Sequence, residues 1–115
     1  MLEQGKRIPD WTVEDDEGKS HVLWDYRQKS HLVLIYDPEA DADKRRHWRA
    51  AIHVDRKQWD WLNAALLLVK AAPKEMAPGI YLIDRYGFFL NYFPLDHWNF
   101  DDLEREFLYY EARHC

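Results

Sequence analysis

The chain has 115 residues and a formal net charge of -5, from 16 lysines and arginines against 21 aspartates and glutamates. This length predicts a single domain over residues 1–115, and the acidic, interspersed charge argues against a nucleic-acid or anionic-membrane surface. Aromatic residues make up 16% of the chain, which predicts an ordered core. No apolar run has the length of a membrane span and the N-terminus lacks the apolar stretch of a signal peptide, so we expect a cytoplasmic protein.

The beginning of the sequence predicts a β-hairpin and then a central strand. Residues 8–13 and 21–24 have the pattern of extended segments, and the acidic, glycine-containing turn at residues 14–19 joins them. Residues 31–36 carry four consecutive aliphatic side chains and stop before Pro38, so they are too short for a helix. We therefore place a strand there, in the centre of the sheet.

Helical spacing runs from Asp41 to about Leu62. The polar Asp55 interrupts the apolar positions, which predicts a kink or break near residues 53–56. Residues 65–69 form a second continuous apolar run, which we predict to be a buried strand parallel to the central one. The resulting βαβ unit should have a right-handed crossover.

Two tryptophans of the helical segment cannot both face the core. Trp59 and Trp61 lie about 200° apart around a helix, so one of them must point outward. An exposed tryptophan indicates a contact surface. We therefore expect a protein partner or self-association as a homodimer, through exposed aromatic side chains.

A proline-led hairpin is predicted over residues 77–94. Its two strands, residues 80–83 and 88–93, are apolar on both faces, a pattern that suits the middle of a covered sheet. Residues 84–87 form the turn between them and end in glycine. Only residues 71–77 separate this hairpin from the preceding strand, which leaves room for one helical turn at most.

A final helix is predicted after the hairpin. Asn99 has the residue type and position of an N-cap. The expected apolar stripe of this helix comprises Leu103, Phe107 and Tyr110, supported by Phe100 and Leu108. We expect the stripe to pack on the sheet.

This order of elements resembles the thioredoxin fold, and more narrowly its redoxin branch, which includes the peroxiredoxins. Four fragments carry the likeness: residues 5–13 with Ile-Pro-Asp-Trp, residues 18–26, residues 32–38, and residues 78–87 with Ile-Asp-Arg-Tyr-Gly. The resemblance implies an α/β fold in which a central mixed sheet, with an N-terminal hairpin, is flanked by helices.

The resemblance also implies a cis-proline. In the thioredoxin fold, the residue that leads into the late hairpin is a cis-proline packed beside the redox centre, and Pro78 matches that position. A cis Ala77–Pro78 bond is therefore expected. Its role in shaping the entry to the strand would not depend on catalysis.

The resemblance fails at the residues that perform the chemistry. Peroxiredoxins share a Pro-x-x-x-Thr-x-x-Cys loop after the central strand, and reading from Pro38 places Ala42 at the threonine and Arg45 at the peroxidatic cysteine. Residues 37–46 contain no cysteine. Since a thiolate is the nucleophile of this chemistry and arginine has no lone pair to offer, we predict no catalytic residue.

The single cysteine, Cys115, is the last residue of the sequence. It cannot form an intramolecular disulfide, a Cys-x-x-Cys centre or a cysteine-rich zinc site. With His114 it would supply only two metal ligands, so no metal and no other cofactor is predicted. The expected function is a redox-inactive binding or assembly module. The alternative is a thiol-dependent antioxidant or oxidoreductase that uses Cys115, as a reactive thiol, together with a partner.

Charged residues cluster where the resemblance places the active site. The acidic members are Asp37, Glu39, Asp41 and Asp43. They would perform acid–base chemistry or bind a cation only if burial split their pKa values, and a solvated loop and helix cap is the simpler interpretation. A basic row follows, formed by Lys44, Arg45, Arg46 and Arg49. We interpret this row as a solvated helix face. The alternative interpretation, a contact site for an acidic partner or phosphate, is less favoured.

Overall fold

The computed structural model describes residues 2–54, 56–96 and 99–114. In chain order, its helices and strands are β1 (Thr12–Asp15), β2 (Ser20–Val22), β3 (His31–Tyr36), α1 (Ala42–Val54), α2 (Arg56–Trp61), β4 (Ala64–Ala71), β5 (Gly79–Ile83), β6 (Phe89–Phe93) and α3 (Phe100–His114). A 3-10 turn, Leu23–Tyr26, follows β2. Within these described residues, the helices lack the combination of length and apolar sequence that a bilayer crossing requires.

The strands form one mixed sheet in the order β2-β1-β4-β3-β5-β6. β3 lies in the middle, where it is parallel to β4 and antiparallel to β5. Its residues from His31 to Ile35 are buried, as expected for a strand covered on both faces. The predicted central strand and its parallel neighbour are therefore confirmed.

The helices α1 and α2 connect these two parallel strands. α1 ends at Val54 and α2 begins at Arg56, and Asp55, where a kink or break was predicted, lies outside the described residues. Asp41 caps the start of α1, because its Oδ1 atom accepts a hydrogen bond from the Lys44 N–H over 2.8 Å. Asn63, with a left-handed φ of 56°, turns the chain from α2 into β4.

Each face of the sheet has its own core. On one face, side chains of the three helices pack against the strands, among them Trp48, Trp59, Leu103 and Phe107. The opposite face is covered by Ile8, Leu23 and Met76, which come from the N-terminal segment, the 3-10 turn and the loop before β5. The segment between β4 and β5 contains no helix, in agreement with its predicted shortness.

The N-terminal hairpin begins later in the sequence than predicted. β1 starts at Thr12 rather than at residue 8, and the 3-10 turn replaces the expected extended structure after Val22. The reason is that the preceding residues pair elsewhere, since the Ile8 N–H donates to the Gly87 carbonyl over 2.9 Å. The segment before β1 thus joins the late hairpin.

The late hairpin is confirmed in position but only half of it lies inside the sheet. β5 is buried throughout, whereas β6 is an edge strand, so the predicted central place for both strands is wrong for β6. Asn91 protects part of this edge, because its Oδ1 atom accepts a hydrogen bond from the Tyr92 N–H over 2.8 Å. An edge amide satisfied in this way is less available to another chain.

α3 begins as predicted. The Asp102 N–H donates to Asn99 Oδ1 over 2.8 Å, which confirms the N-cap. The predicted apolar stripe of Leu103, Phe107 and Tyr110 is buried. Leu108 was expected to support the stripe, and this is wrong: its side chain is 40% exposed, because it points about 100° away from Phe107 around the helix.

Candidate functional site

The chain leaves β3 at the position where the resemblance implies an active site. Asp37 follows the strand directly and is only 7% exposed. The Ala40 N–H donates to the Asp37 carbonyl over 3.1 Å, and this turn directs the chain from the sheet into α1. Pro38 is exposed on the outside of the turn.

Two side chains of α1 hold the Asp37 carboxylate. Its Oδ2 atom accepts a hydrogen bond from Trp48 Nε1 over 3.1 Å and lies 3.0 Å from Lys44 Nζ. Lys44 and Trp48 are four residues apart, so they share one face of the helix. A buried carboxylate requires such pairing and hydrogen bonding. We refer to Asp37, Lys44 and Trp48 together as the β3 corner.

The remaining acidic residues do not join Asp37 in one site. Asp41 is the cap of α1, Glu39 is exposed, and Asp43 forms an ion pair with Arg46 over 3.1 Å. The solvated-loop interpretation is therefore correct for these three residues and wrong for Asp37. Within the described parts of the chain, no three histidine, cysteine, aspartate or glutamate side chains are arranged to hold a metal ion.

The basic row also divides. Lys44 points inward to Asp37, and Arg49 reaches across to the carboxylate of Asp16 in the turn between β1 and β2. Arg46 stays on the solvent side with Asp43. Two cations of the predicted solvated face thus connect α1 to other parts of the fold, which the sequence pattern did not indicate.

The residues aligned with the peroxiredoxin motif form no chemical group. Ala42 is the first residue of α1 and is exposed, and Arg45 is half-buried one turn later. The Arg45 N–H donates to the Asp41 carbonyl over 3.0 Å as part of the helix. Cys115, the candidate reactive thiol, lies outside the described residues.

Pro78 lies beside the β3 corner, as the resemblance implied. The register of β3 with β5 pairs Tyr36 with Gly79, so Pro78 comes next to Asp37. The expected cis bond is wrong, because the described residues contain no cis peptide bond. Gly79 redirects the chain instead: its φ of 151° is open to glycine, and an added Cβ would overlap the Tyr92 ring.

Tyrosine hydroxyls surround this entry to β5. The Tyr92 hydroxyl donates to the Pro78 carbonyl, and the Tyr81 hydroxyl donates to the Ala77 carbonyl over 2.5 Å. Burial, together with the nearby Tyr92, raises the pKa of Tyr81 to about 12. The hydroxyl is therefore held neutral, as a hydrogen-bond donor rather than as a base.

A second buried polar group, which the sequence did not reveal, lies at the opposite end of β3. His31 is fully buried, stacks on Phe107 at 4.8 Å between ring centroids, and accepts the Arg85 backbone N–H at Nδ1 over 3.1 Å. Burial and the charge of Asp84 raise the pKa of the adjacent Tyr110 to about 12. The enclosure of His31 in the core indicates that this histidine has a structural role.

The two tryptophans of α2 separate as predicted. Trp59 is fully buried between α3 and the sheet, whereas Trp61 is 71% exposed. Trp61 shares a shallow cleft with Arg85 and the exposed Leu108. A large apolar side chain at such a place is the contact feature that the sequence led us to expect.

Comparisons with known proteins agree on the fold. No family model matches the sequence, and no curated protein matches it at a significant level. Among solved structures, the chain is similar to a PrxQ mutant from Xylella fastidiosa, with 10% identity, a TM-score of 0.68, and coverage of 100% of this chain and 99% of that one. It is similar to the peroxidoxin BcpB from Mycobacterium tuberculosis, with 11% identity, a TM-score of 0.68, and coverage of 97% and 98%.

A further similar structure is the exposed lipoprotein thioredoxin of Streptococcus pneumoniae, with 12% identity, a TM-score of 0.54, and coverage of 86% of this chain and 98% of that one. At these identities the likeness shows the fold alone. The fold is thioredoxin-like, with a mixed six-stranded sheet and helices, as the resemblance implied.

Proposed function

We propose that this thioredoxin-like domain is a redox-inactive binding or assembly module. The observation that carries the proposal is the β3 corner, where a buried carboxylate is held by a lysine and a tryptophan. Residues 37–46 contain no sulfur. The positive end of α1 therefore has no thiol whose pKa it would lower.

The corner also lacks another nucleophile. Lys44 Nζ is engaged with the Asp37 carboxylate, and the Trp48 N–H donates to the same oxygen. An arrangement in which donor and acceptor already satisfy each other stabilises the turn and offers no reactive atom to a substrate. This supports a structural use of the corner.

A binding role is supported by apolar side chains on the surface. Among the described residues, the large hydrophobic side chains with high exposure are Val54, Trp61, Tyr86, Leu108 and Tyr109. Trp61 and Leu108 line one cleft together. Tryptophan is enriched among the residues that dominate interface energies, so this cleft is the proposed surface for self-association.

Turnover assays test the redox part of the proposal. Peroxide consumption and disulfide reduction are measured on the reduced full chain and on Cys115→Ser. We expect both proteins to show the same background rate. A substantial rate that disappears in Cys115→Ser would contradict the proposal and support the thiol-dependent alternative.

Solution mass measured against concentration tests the self-association. Trp61→Ser should lower the apparent mass if the unmodified chain dimerises through this cleft. Tyr109→Ser is the matched control, since Tyr109 is also exposed but lines a different groove with Phe93 and Arg105. A monomeric unmodified chain, or an equal effect of the two substitutions, would refute this surface.

A further inference from the structure

The strand β4 is only partly covered by its neighbour β1. β1 meets β4 near its C-terminal end, where Glu14 pairs with Ala71 and Asp15 with Val69. The Asp16 N–H then donates to the Leu68 carbonyl over 3.0 Å, and beyond it the chain turns away. In the described part of the chain, no strand pairs with the outer edge of residues 64–67.

The turn after β1 explains why the pairing stops. Asp15 Oδ1 accepts hydrogen bonds from the backbone N–H groups of Glu17 and Lys19, each over 2.9 Å. Gly18 follows with a left-handed φ of 85°. This local geometry takes the chain into β2 and leaves the first half of β4 with one strand neighbour, β3.

Backbone groups face outward along this open edge. Successive strand residues direct their N–H and C=O groups to opposite sides of the strand. Since the Leu68 carbonyl points toward Asp16, the N–H and C=O of Leu66 point to the same outer side. The edge therefore presents a donor and an acceptor that a further strand would pair.

A cleft of about 380 Å³ runs along the same edge. It is lined by residues 64–67 of β4, by Arg56, Trp59 and Asp60 of α2, and by Ser30 and Asn63. The volume lies within the range of about 300–1,000 Å³ that is typical of ligand sites. We refer to it as the β4 cleft.

The cleft also borders a buried donor that has no acceptor among the described residues. Trp59 is fully buried and lines the cleft, and its Nε1–H makes no hydrogen bond to any described residue. Buried polar groups are nearly always hydrogen-bonded, so an unsatisfied one indicates a missing partner. An acceptor that reached the indole from the cleft side would satisfy this N–H group.

We propose that the β4 cleft binds an extended peptide segment of a partner protein, which adds a strand along β4 and presents an acceptor to Trp59 Nε1–H. This inference rests on the proposed binding function. The edge offers both donors and acceptors, and another peptide backbone pairs with both. A carboxylate or phosphate would accept hydrogen bonds but would leave the outward carbonyls without a donor.

The surroundings specify the peptide further. Arg56 and Asp60 on the rim form an ion pair at 3.6 Å, so the rim is balanced in charge and does not select a strongly charged ligand. Leu66 and Leu67 lie on opposite faces of the strand, and both are half-buried. The segment that fits carries apolar side chains on both of its faces.

A second copy of this chain is a poorer occupant of the same cleft. The open stretch is four residues long, whereas stable protein–protein interfaces bury about 1,600 Å² in total. α2 stands over one side of the cleft, and a narrow, unfolded segment enters such a space more readily than the edge of a folded sheet does. The test below therefore distinguishes pairing of two copies along β4 from binding of a peptide in the β4 cleft.

The probe is a displayed library of random seven-residue peptides, selected against the full chain. Selected peptides are titrated against the unmodified chain, Trp59→Phe, Leu66→Pro and Trp11→Phe. We expect Trp59→Phe to weaken binding about threefold to tenfold, because one hydrogen bond is lost. Leu66→Pro should abolish binding, since it removes the outward donor, and the matched control Trp11→Phe, on the other face of the sheet, should not change it.

Hydrogen exchange of the Leu66 amide provides the second readout. It should be fast in the free chain and slow when peptide is bound. The inference is overturned if no peptide is selected, if Trp59→Phe binds as tightly as the unmodified chain, or if the Leu66 amide slows with protein concentration alone, which would assign the edge to a second copy. None of these results would produce cysteine-dependent turnover, which is the outcome that refutes the proposed function itself.

Discussion

Two buried tryptophans of consecutive helices, Trp48 in α1 and Trp59 in α2, pack in the same core but differ in the partner of their indole N–H. Trp48 donates to the Asp37 carboxylate over 3.1 Å. Trp59 has no acceptor among the described residues. The first tryptophan closes the β3 corner with groups of its own chain, and the second borders the β4 cleft with its N–H group unsatisfied.

The difference distinguishes polar groups that are already hydrogen-bonded within the chain from polar groups that remain able to bind a ligand. In the β3 corner, the carboxylate, ammonium and indole groups satisfy one another, so the corner contributes to stability. In the β4 cleft, the indole donor and the edge of β4 have no partner within the described residues. The unused hydrogen-bonding capacity therefore lies at the β4 cleft and not at the β3 corner, where the thioredoxin-like fold would place redox chemistry.

Removing the carboxylate of the closed corner should give the largest effect. Asp37→Ala leaves the Trp48 N–H buried without an acceptor and frees Lys44, and we expect a loss of about 3 kcal/mol in the free energy of unfolding. Lys44→Ala is the control and should cost less, about 1–2 kcal/mol, because the lysine side chain is 56% exposed and the carboxylate that it leaves behind keeps its hydrogen bond from Trp48. Urea unfolding measures both. Equal costs would contradict the account of the corner.

Alkaline unfolding tests Tyr81, whose hydroxyl donates a hydrogen bond at the entry to β5, next to the β3 corner. The pKa of Tyr81 is about 12 in the folded chain and 10.0 without the fold. The unfolded chain therefore releases this proton first, so the contribution of Tyr81 to stability is constant below about pH 10 and falls as the pH rises toward 12, by about 2 kcal/mol.

Tyr81→Phe should flatten that fall by less than about half, because Tyr110, with its own raised pKa of about 12, and Tyr26, whose pKa burial also raises, contribute to it. The measurement is urea unfolding at several pH values between 9 and about 11.5, within the range that the two raised pKa values define. An unchanged pH dependence in Tyr81→Phe would show that its hydroxyl is not held neutral by the fold.

The two tryptophans can be compared by the same substitution. Trp48→Phe and Trp59→Phe remove similar volumes from one core, but only the first removes a hydrogen bond to a carboxylate. We expect Trp48→Phe to cost about 1–2 kcal/mol more than Trp59→Phe. Thermal or urea unfolding of the two variants measures this difference. Equal costs would mean that the Trp59 N–H is satisfied in the free chain, and the contrast between the two sites would be lost.

The smallest effect concerns the turn that leaves the edge of β4 open. Burial tends to raise the pKa of Asp15, but hydrogen bonds from His21 and from the backbone N–H groups of Lys19 and Glu17 outweigh it, so the pKa is lowered from 3.8. The resulting stability is present above that value and is lost as the pH falls through the lower folded-state pKa. Asp15→Asn should remove this acid dependence. The measurement is the free energy of unfolding at several acidic pH values. The same slope against pH in Asp15→Asn and in the unmodified chain would show that the turn does not depend on the carboxylate.

Much of the fold could be predicted from local pattern. The four aliphatic residues within β3, the Asn99 cap and the opposite faces of Trp59 and Trp61 each follow from spacing along the chain, and the structure confirms them. The wrong predictions concern features that depend on contacts between residues far apart in the sequence. The edge position of β6 depends on strand order, and the residues around Pro78 carry no local signal for the trans bond that the structure has.

The polar features of the sites were not predictable, for two different reasons. The burial of Asp37 depends on contacts to Lys44 and Trp48, seven and eleven residues away, and the only sequence signal is their spacing of four on one helix face. The unsatisfied N–H of Trp59 has no signal at all, because no pattern along the sequence shows which acceptors the fold brings to a buried indole.

The most direct test is the NMR spectrum of the indole N–H groups, recorded with hydrogen peroxide and then with a selected peptide. We predict that peroxide leaves the Trp48 resonance unchanged, since the β3 corner performs no chemistry, and that the peptide shifts the Trp59 resonance. A Trp48 resonance that responds to peroxide, together with a Trp59 resonance that ignores the peptide, would contradict the account.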